Sequence, residues 1–414
     1  MSSSFYQGRT PGGRAVEVEV RGTRIHRIRD LPGEPQTHRL PYLLPVLVDL
    51  QHNGALGAYY GEIPEAGEAK LREIASFLRR RGVGRCLLTL VTQERSQLDR
   101  VTDCLGKILD ADRELERLFF GIFHEGVFIS PHEGWRGAHA PAWIEQPDWD
   151  RLRVLDDRTG GRIRMVNVAP EEPGGLRFIE QAAAAGKKVA LGHCCPSAEV
   201  VDEAIARGAS MVTHFGNGAA SRIHRFENPF WTFLDRKELM LGLICDGLHL
   251  PGSIVRIAMN CKGREKCLPV SDASGCSGLP PGLYNIVSKR RVEITPSGRV
   301  HMASNPEILA GGWFQQDRSV EFLVREAGFT FLEAWDQCSR VPARAIGIPL
   351  PELAEGEEAS FVLARWNDGV IIEQAVHAGV PEFAVAPDGE WTDRPGEPRR
   401  ETDPVEPAAF PLRH

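Results

Sequence analysis

The sequence contains no uninterrupted apolar run long enough to cross a bilayer, which excludes a helical membrane span. Its start, MSSSFYQGRTPGG, lacks a basic segment followed by an apolar core, so no signal peptide is expected. Basic residues are outnumbered: 49 Lys and Arg against 56 Asp and Glu give a formal net charge of −7. That balance argues against a nucleic-acid-binding surface. The nine cysteines are scattered and form no CxxC pair, so neither a zinc ribbon nor a disulfide framework is expected. Reduced thiols in a cytoplasm are the simpler reading. There is no internal repeat and no low-complexity core segment. What remains is the composition of an ordinary soluble globular protein, 42 % hydrophobic and 25 % charged. At 414 residues a barrel with a small satellite domain fits comfortably.

The pattern within that length alternates strands and helices. LLPVLVDLQHNG (from Leu43) is a continuous apolar run suited to a buried parallel strand. AKLREIASFLRRRG has apolar residues at helical spacing and a glycine at the stop. GRCLLTLVT, RLFFGIFHEG, RIRMVNVAPE, KKVALGH, ASMVTH, LMLGLICDG and KCLPVSDASG bring the strand count to eight, with helical segments between several of them. Between KKVALGH and ASMVTH, PSAEVVDEAIARG reads as one amphipathic helix. Ser197 is its N-cap, Val200, Val201, Ala204 and Ile205 its apolar face, and Gly208 its stop. The fold class expected is α/β, a (β/α)8 TIM-type barrel over 46–349. VEVEVRGTRIHRIR near the start, and ASFVLARWNDGV with IIEQAVHAGV near the end, read as β-hairpins. Both chain termini, 1–45 and 350–385, are therefore expected to build one small β-sandwich domain, and 386–414 a Pro- and charge-rich tail.

Catalytic groups in such a barrel sit at the carboxyl ends of the strands. Those ends carry Gln51 and Asn53, Glu125, Glu171, His193, His214, Asp246 with His249, and Asp272. Acidic and imidazole groups at corresponding positions favour a metal site over buried structural residues. Two neutral histidines and one carboxylate, His193, His214 and Glu125, make an open three-ligand set that leaves a position for water. Asp272 is the natural general base, with a fourth-ligand role and a loop-capping role as alternatives. The period-two alternation of a strand sends Gln51 and Asn53 one way and His52 the other, so His52 is packed or at the surface and a single metal is expected. Zinc suits the set, and two imidazoles with a carboxylate also accept iron or another divalent ion. Cys194 and Cys195 follow His193 directly. One of them could line the site, and small buried hydrophobes is the commoner role.

These motifs resemble those of the N-acetylglucosamine-6-phosphate deacetylases, in the amidohydrolase superfamily. The resemblance runs from VDLQHNG (from Val48) to PARAIG (ending at Gly347) through HEGVFISPHEGWRGAH, LGHCCPS, VTHFGNGA, ICDGLHLPG and LPVSDASG. Gln51-His52-Asn53 is similar to the Gln-x-Asn of single-metal deacetylases, not the His-x-His of two-metal relatives. The resemblance implies Glu125, His193 and His214 as metal ligands and Asp272 as base and then acid. It implies that His139 contacts the sugar, that Asn217 and Gly218 offer amides to the phosphate, and that Arg225 binds the phosphate. It implies too that His249 reaches the phosphate of a neighbouring subunit in a homodimer. The sequence departs from the family at Val127, at Asn217-Gly218-Ala219, at Arg225-Phe226-Glu227-Asn228-Pro229 and at Gly311-Gly312-Trp313. The departures surround the sugar and phosphate, and the metal and base positions are intact.

The expected reaction is hydrolysis of the N-acetyl amide of an amino-sugar phosphate, with metal-bound water as nucleophile and Asp272 as general base and acid. A hydrolase for a different N-acyl amine or cyclic amide, and a catalytically silent sugar-phosphate-binding protein, are the competing readings. All three imply a small-molecule partner, with no nucleic acid and no membrane.

Overall fold

The apolar runs become the strands of one parallel sheet. In the computed structural model, which describes residues 3–32, 39–286 and 290–384, these strands are Leu47–His52, Val83–Leu90, Phe119–His124, Ile163–Val168, Lys188–Leu191, Ala209–Val212, Met240–Ile244 and Cys267–Val270. They lie side by side in chain order, as right-handed crossovers between sequential parallel strands dictate. The ends meet where Asp272 N–H donates to the Gln51 carbonyl at 2.9 Å and Asn53 N–H to that of Ala273 at 2.7 Å, so the sheet closes into a barrel. Val48, Leu87, Phe123, Met165, Ala190, Met211, Ile244 and Leu268 fill the interior. The opposite strand faces pack on helices such as Glu68–Arg80 and Arg95–Ala111 through Ile74, Leu78, Leu98 and Val101.

Local signals account for several element ends. Ser197 Oγ accepts from Val200 N–H at 3.4 Å, capping the helix Ala198–Ala206. Val201 and Ala204 are buried, Val200 and Ile205 half-buried, and Gly208 beyond it has φ 108°. TFLEAWDQCSRVPARAIG forms two helices, Phe331–Gln337 and Arg340–Ile346. Pro342 explains the break, because its ring would collide with the Cys338 carbonyl in a continuous helix. Val341, Ala343 and Ile346 of the second helix plug the end of the barrel interior.

The two ends of the chain meet in a seven-stranded sheet of order Val380–Ala384, Val370–His377, Phe361–Trp366, Tyr42–Leu44, Ser3–Arg9, Ala15–Arg21 and Arg24–Asp30. Both expected hairpins are present in it. The strands form one hydrogen-bonded sheet, not two. It curls so that the edge strand Arg24–Asp30 bonds the segment leading into Phe361, through Ile25 N–H to the Glu357 carbonyl at 2.9 Å. Tyr6, Val16, Val18, Val20, Phe361 and Val376 fill the resulting core. The expected tail, 386–414, lies outside the described residues.

One element goes beyond the sequence reading. After the last barrel strand the chain makes a four-stranded antiparallel sheet, Gly282–Ile286, Arg290–Ile294, Val300–Met302 and Asn305–Leu309, before returning to the barrel helix Gln316–Glu326. Its own core is Val292, Ile294, Val300, Met302, Cys276 and Trp313. The signal was present: RVEIT-PSG-RVHM alternates around a Pro-Ser-Gly turn.

Candidate active site

Glu125, His193, His214 and Asp272 each lie just past the end of a barrel strand and are buried. Leaving the strand direction there requires an unusual backbone. His193, His214 and Asp272 have φ of 52°, 27° and 46°, half of the six non-glycine residues with positive φ among the described residues. Such conformations each cost of the order of 1–3 kcal/mol and persist only where the surroundings enforce them.

The result is a tight convergence of donor atoms. His214 Nε2 lies 2.9 Å from Glu125 Oε1 and 3.0 Å from His193 Nε2, and His193 Nε2 lies 3.5 Å from Glu125 Oε1. A tetrahedral ion with bonds of about 2.0–2.1 Å spaces its ligand atoms about 3.3 Å apart, so these edges match such a set. His193 Nδ1 faces the Trp135 carbonyl at 3.0 Å, which fixes the tautomer that leaves Nε2 with its lone pair aimed inward. Lone pairs converging on one point repel unless a cation lies among them. This group could therefore hold a metal ion.

A second layer orients the donors. Gln51 Nε2 donates to Glu125 Oε1 at 2.9 Å, and its own Oε1 accepts from Thr213 Oγ1 at 2.8 Å. Asn167 Nδ2 reaches the carbonyls of Glu125 and Gly192, both at 3.1 Å, tying the third and fifth strand ends together from the fourth. Asn53 Nδ2 donates to Asp272 Oδ1 at 2.7 Å. A register irregularity between Asp49 and His52 re-aims this strand end. His52 points away, fully buried between Gln315 Oε1 at 3.1 Å and Tyr60 OH at 2.7 Å, and burial lowers its pKa to about 3. It is a packed histidine.

Burial, reinforced by the Glu125 carboxylate, pushes Asp272 up to about 7. Burial also works against a charge on Glu125, yet His193 and His214, when either Nε2 carries a proton instead of facing an ion, hold its carboxyl well below the usual carboxylate range. The two carboxyls are thus separated in basicity, as suits one ligand and one proton acceptor.

These groups open into one cavity, also lined by Asn53, Tyr59, Thr92, His139, Asn217 and Gly218. His139 Nδ1 pairs with Thr92 Oγ1 at 2.7 Å, and its ring stands 4.4 Å, edge-on, from that of His193. Asn217 Nδ2 lies 3.5 Å from Asp272 Oδ2. Gly218 has φ 56°, and a Cβ there would sit 2.5 Å from His193 Nδ1, so this position is closed to side chains. Arg225 is exposed and not among the lining residues. His249 is also outside the lining. Its Nδ1 pairs with Asp246 Oδ2 of its own chain at 2.8 Å, and its buried Nε2 has no partner among the described residues. Glu171 is occupied elsewhere, accepting from the Cys195 N–H at 2.5 Å. Cys194 is buried and Cys195 exposed, neither lining the cavity.

The sequence reading missed Thr92, at the end of the second strand, and the wall supplied by the inserted sheet, Ile286, Leu309 and Ala310. The strand-end rule that found Glu125 applies equally to the threonine in LVT.

No family model matches the chain. It is 26 % identical over 340 residues to the N-acetylglucosamine-6-phosphate deacetylase of Lysinibacillus sphaericus, covering 82 % of this chain and 84 % of that one. It is equally 26 % identical over 355 residues to the N-acetylgalactosamine-6-phosphate deacetylase of Escherichia coli O157:H7, covering 84 % and 90 %. The resemblance read in the motifs holds along most of the chain. In fold it is similar to an N-acetyl-D-glucosamine-6-phosphate deacetylase mutant from Mycobacterium smegmatis solved with its sugar phosphate. The TM-score is 0.80 at 23 % identity, over 93 % of this chain and 100 % of that one. Among the described residues, no helix is long and apolar enough to cross a membrane.

Proposed function

We propose that the protein is a metal-dependent amidohydrolase that removes the acetyl group from an N-acetylated amino-sugar 6-phosphate. N-Acetylglucosamine 6-phosphate is the first substrate to test. The observation that carries this reading is the convergence of Glu125, His193 and His214 on one point, with Asp272 facing the same cavity. The similarity to deacetylases of both glucosamine and galactosamine phosphates supports it. Glu125 Oε1, His193 Nε2 and His214 Nε2 would hold one divalent ion, zinc by donor type. When bound, it supplies a Lewis acid for the scissile carbonyl and makes water acidic enough to react near neutral pH.

The rest falls to side chains. Asp272, held by the Asn53 amide at Oδ1, takes the proton of the attacking water and returns it to the amine nitrogen as the C–N bond breaks. The products are acetate and a free amino sugar. Gln51 keeps the Glu125 carboxylate in place, and His139, beside His193, faces the sugar. Arg225 and His249 are assigned to the phosphate by resemblance alone. A cytoplasmic setting fits nine free thiols, and a homodimer is the expected assembly.

The direct test is acetate release from the 6-phosphates of N-acetylglucosamine and N-acetylgalactosamine by metal-replete enzyme, with metal content measured in parallel. Stoichiometric metal without release from either sugar would reject the substrate while leaving the hydrolase chemistry. Absence of bound metal after reconstitution would reject both.

A further inference from the structure

Two imidazoles stand side by side in the cavity, and each Nδ1 meets a different kind of partner. His193 Nδ1 faces a carbonyl, that of Trp135, at 3.0 Å. His139 Nδ1 faces a hydroxyl, Thr92 Oγ1, at 2.7 Å. A carbonyl only accepts, so the His193 proton sits on Nδ1 and its Nε2 is bare. A hydroxyl can donate as well as accept, and the surroundings of Thr92 decide which it does.

Thr92 lies two residues past the second barrel strand, buried, and lines the cavity together with His139. The contact is built in from a third element. Gly126, next to Glu125, leaves the room for it: a Cβ there would lie 2.2 Å from Thr92 Oγ1 and 3.1 Å from His139 Nδ1. The hydroxyl is thus enclosed between the end of the third strand and the imidazole. Among the described residues no other group bonds Thr92 Oγ1. If Nδ1 carried the ring proton and donated it, the hydroxyl proton would be left buried and unpaired, which is costly. Thr92 therefore donates to Nδ1. A ring charged on both nitrogens is disfavoured too, because His139 packs 4.4 Å from the His193 ring and no carboxylate bonds it among the described residues. A neutral imidazole that accepts at Nδ1 carries its proton on Nε2.

The neighbouring rings are then set to opposite tautomers: His193 offers a lone pair, and His139 an N–H. We propose that Thr92 is a positioning residue that fixes the orientation of His139 and keeps its proton on Nε2, so that the ring donates a hydrogen bond to an oxygen of the substrate. That the acceptor belongs to an amino-sugar phosphate rests on the reading above. The tautomer does not.

Two-bond proton–nitrogen spectra of histidine-labelled, zinc-loaded enzyme read the proton position directly, with the His139 signal identified by its loss in His139→Gln. The wild type and Thr92→Ser show the Nε2–H pattern with a hydrogen-bonded Nδ1. In Thr92→Val, which keeps the shape and removes the hydroxyl, the Nδ1 resonance moves downfield as an acceptor nitrogen does when its bond is lost. The same variant loses about tenfold or more in kcat/KM for acetate release. Thr92→Ser recovers most of that loss, and metal content and thermal midpoint stay level across the series. A threonine that only filled space would leave the ring nitrogens unmoved. A proton on Nδ1 in the wild type, an Nδ1 resonance unchanged in Thr92→Val, or an equal loss of rate in the serine and valine variants overturns the proposal. A Thr92-dependent Nδ1 signal in enzyme that releases no acetate from either sugar supports the tautomer lock and rejects the deacetylase reading instead.

Discussion

Two cavities at opposite ends of the barrel are both built from charged side chains, and they are built differently. The lower one lies between the barrel and the terminal sheet and is lined by Arg79, Arg85, Arg117, Glu114, His377 and Glu382. Its cations are answered: Arg79 meets Glu382 at 2.8 Å, while Arg117 and Arg85 lie 3.2 and 3.7 Å from Glu358. The upper one aims three lone pairs at one point and holds three residues at positive φ. Charge balanced inside the fold serves the fold. Charge left unbalanced and enforced by strain awaits something from outside.

That contrast can be broken at either end. Asp272→Asn should cost about 10³-fold in kcat, with no fall in thermal midpoint, because a neutral amide replaces a buried carboxylate; a drop in midpoint with modest loss of rate would make Asp272 structural. Arg79→Ala should do the reverse, lowering stability by about 3 kcal/mol in denaturant titration because Glu382 is left unpaired, with kcat/KM unchanged. Gln51→Ala lies between the two. It should weaken metal affinity about 10–100-fold through a misoriented Glu125, read by competition with a chelator, and unchanged affinity would remove Gln51 from the site. The smallest effect is on pH. Burial, with help from the Arg79 charge, lowers His377 from 6.5 to about 3. Below about 6.5 the unfolded chain takes up a proton that the folded one refuses, so this contribution is full above 6.5 and lost as pH falls towards 3. His377→Gln should therefore flatten the fall, by about 1.4 kcal/mol at pH 5.5 relative to pH 7; equal slopes would refute it.

The barrel and its donor set were legible in the sequence because both follow from short-range rules. A buried parallel strand is an apolar run, and the polar residue that ends it faces the mouth, which placed Glu125, His193, His214 and Asp272. Gln51, Asn53 and His52 followed from alternation, even though a register irregularity intervenes in that strand. What the sequence hid depends on long-range packing. Nothing in SRIHRF distinguishes an exposed Arg225 from a buried one, and nothing near Ile286 says that its strand walls the cavity. The sequence likewise does not show that His249 Nδ1 pairs with Asp246, three residues earlier. The small sheet over 282–309 was overlooked because it interrupts a barrel pattern that was already complete at eight strands.

That interruption divides labour along the chain. The atoms proposed to do chemistry hang from eight strands that also hold the barrel shut, so few of them can change without endangering the fold. One wall of the cavity, with Ile286, Leu309 and Ala310, hangs instead from a single excursion with a core of its own. Insertions, deletions and substitutions there leave the strands untouched. Descendants of this chain can therefore change what the cavity admits by remodelling a stretch of under thirty residues, while the donor atoms at the strand ends are inherited intact.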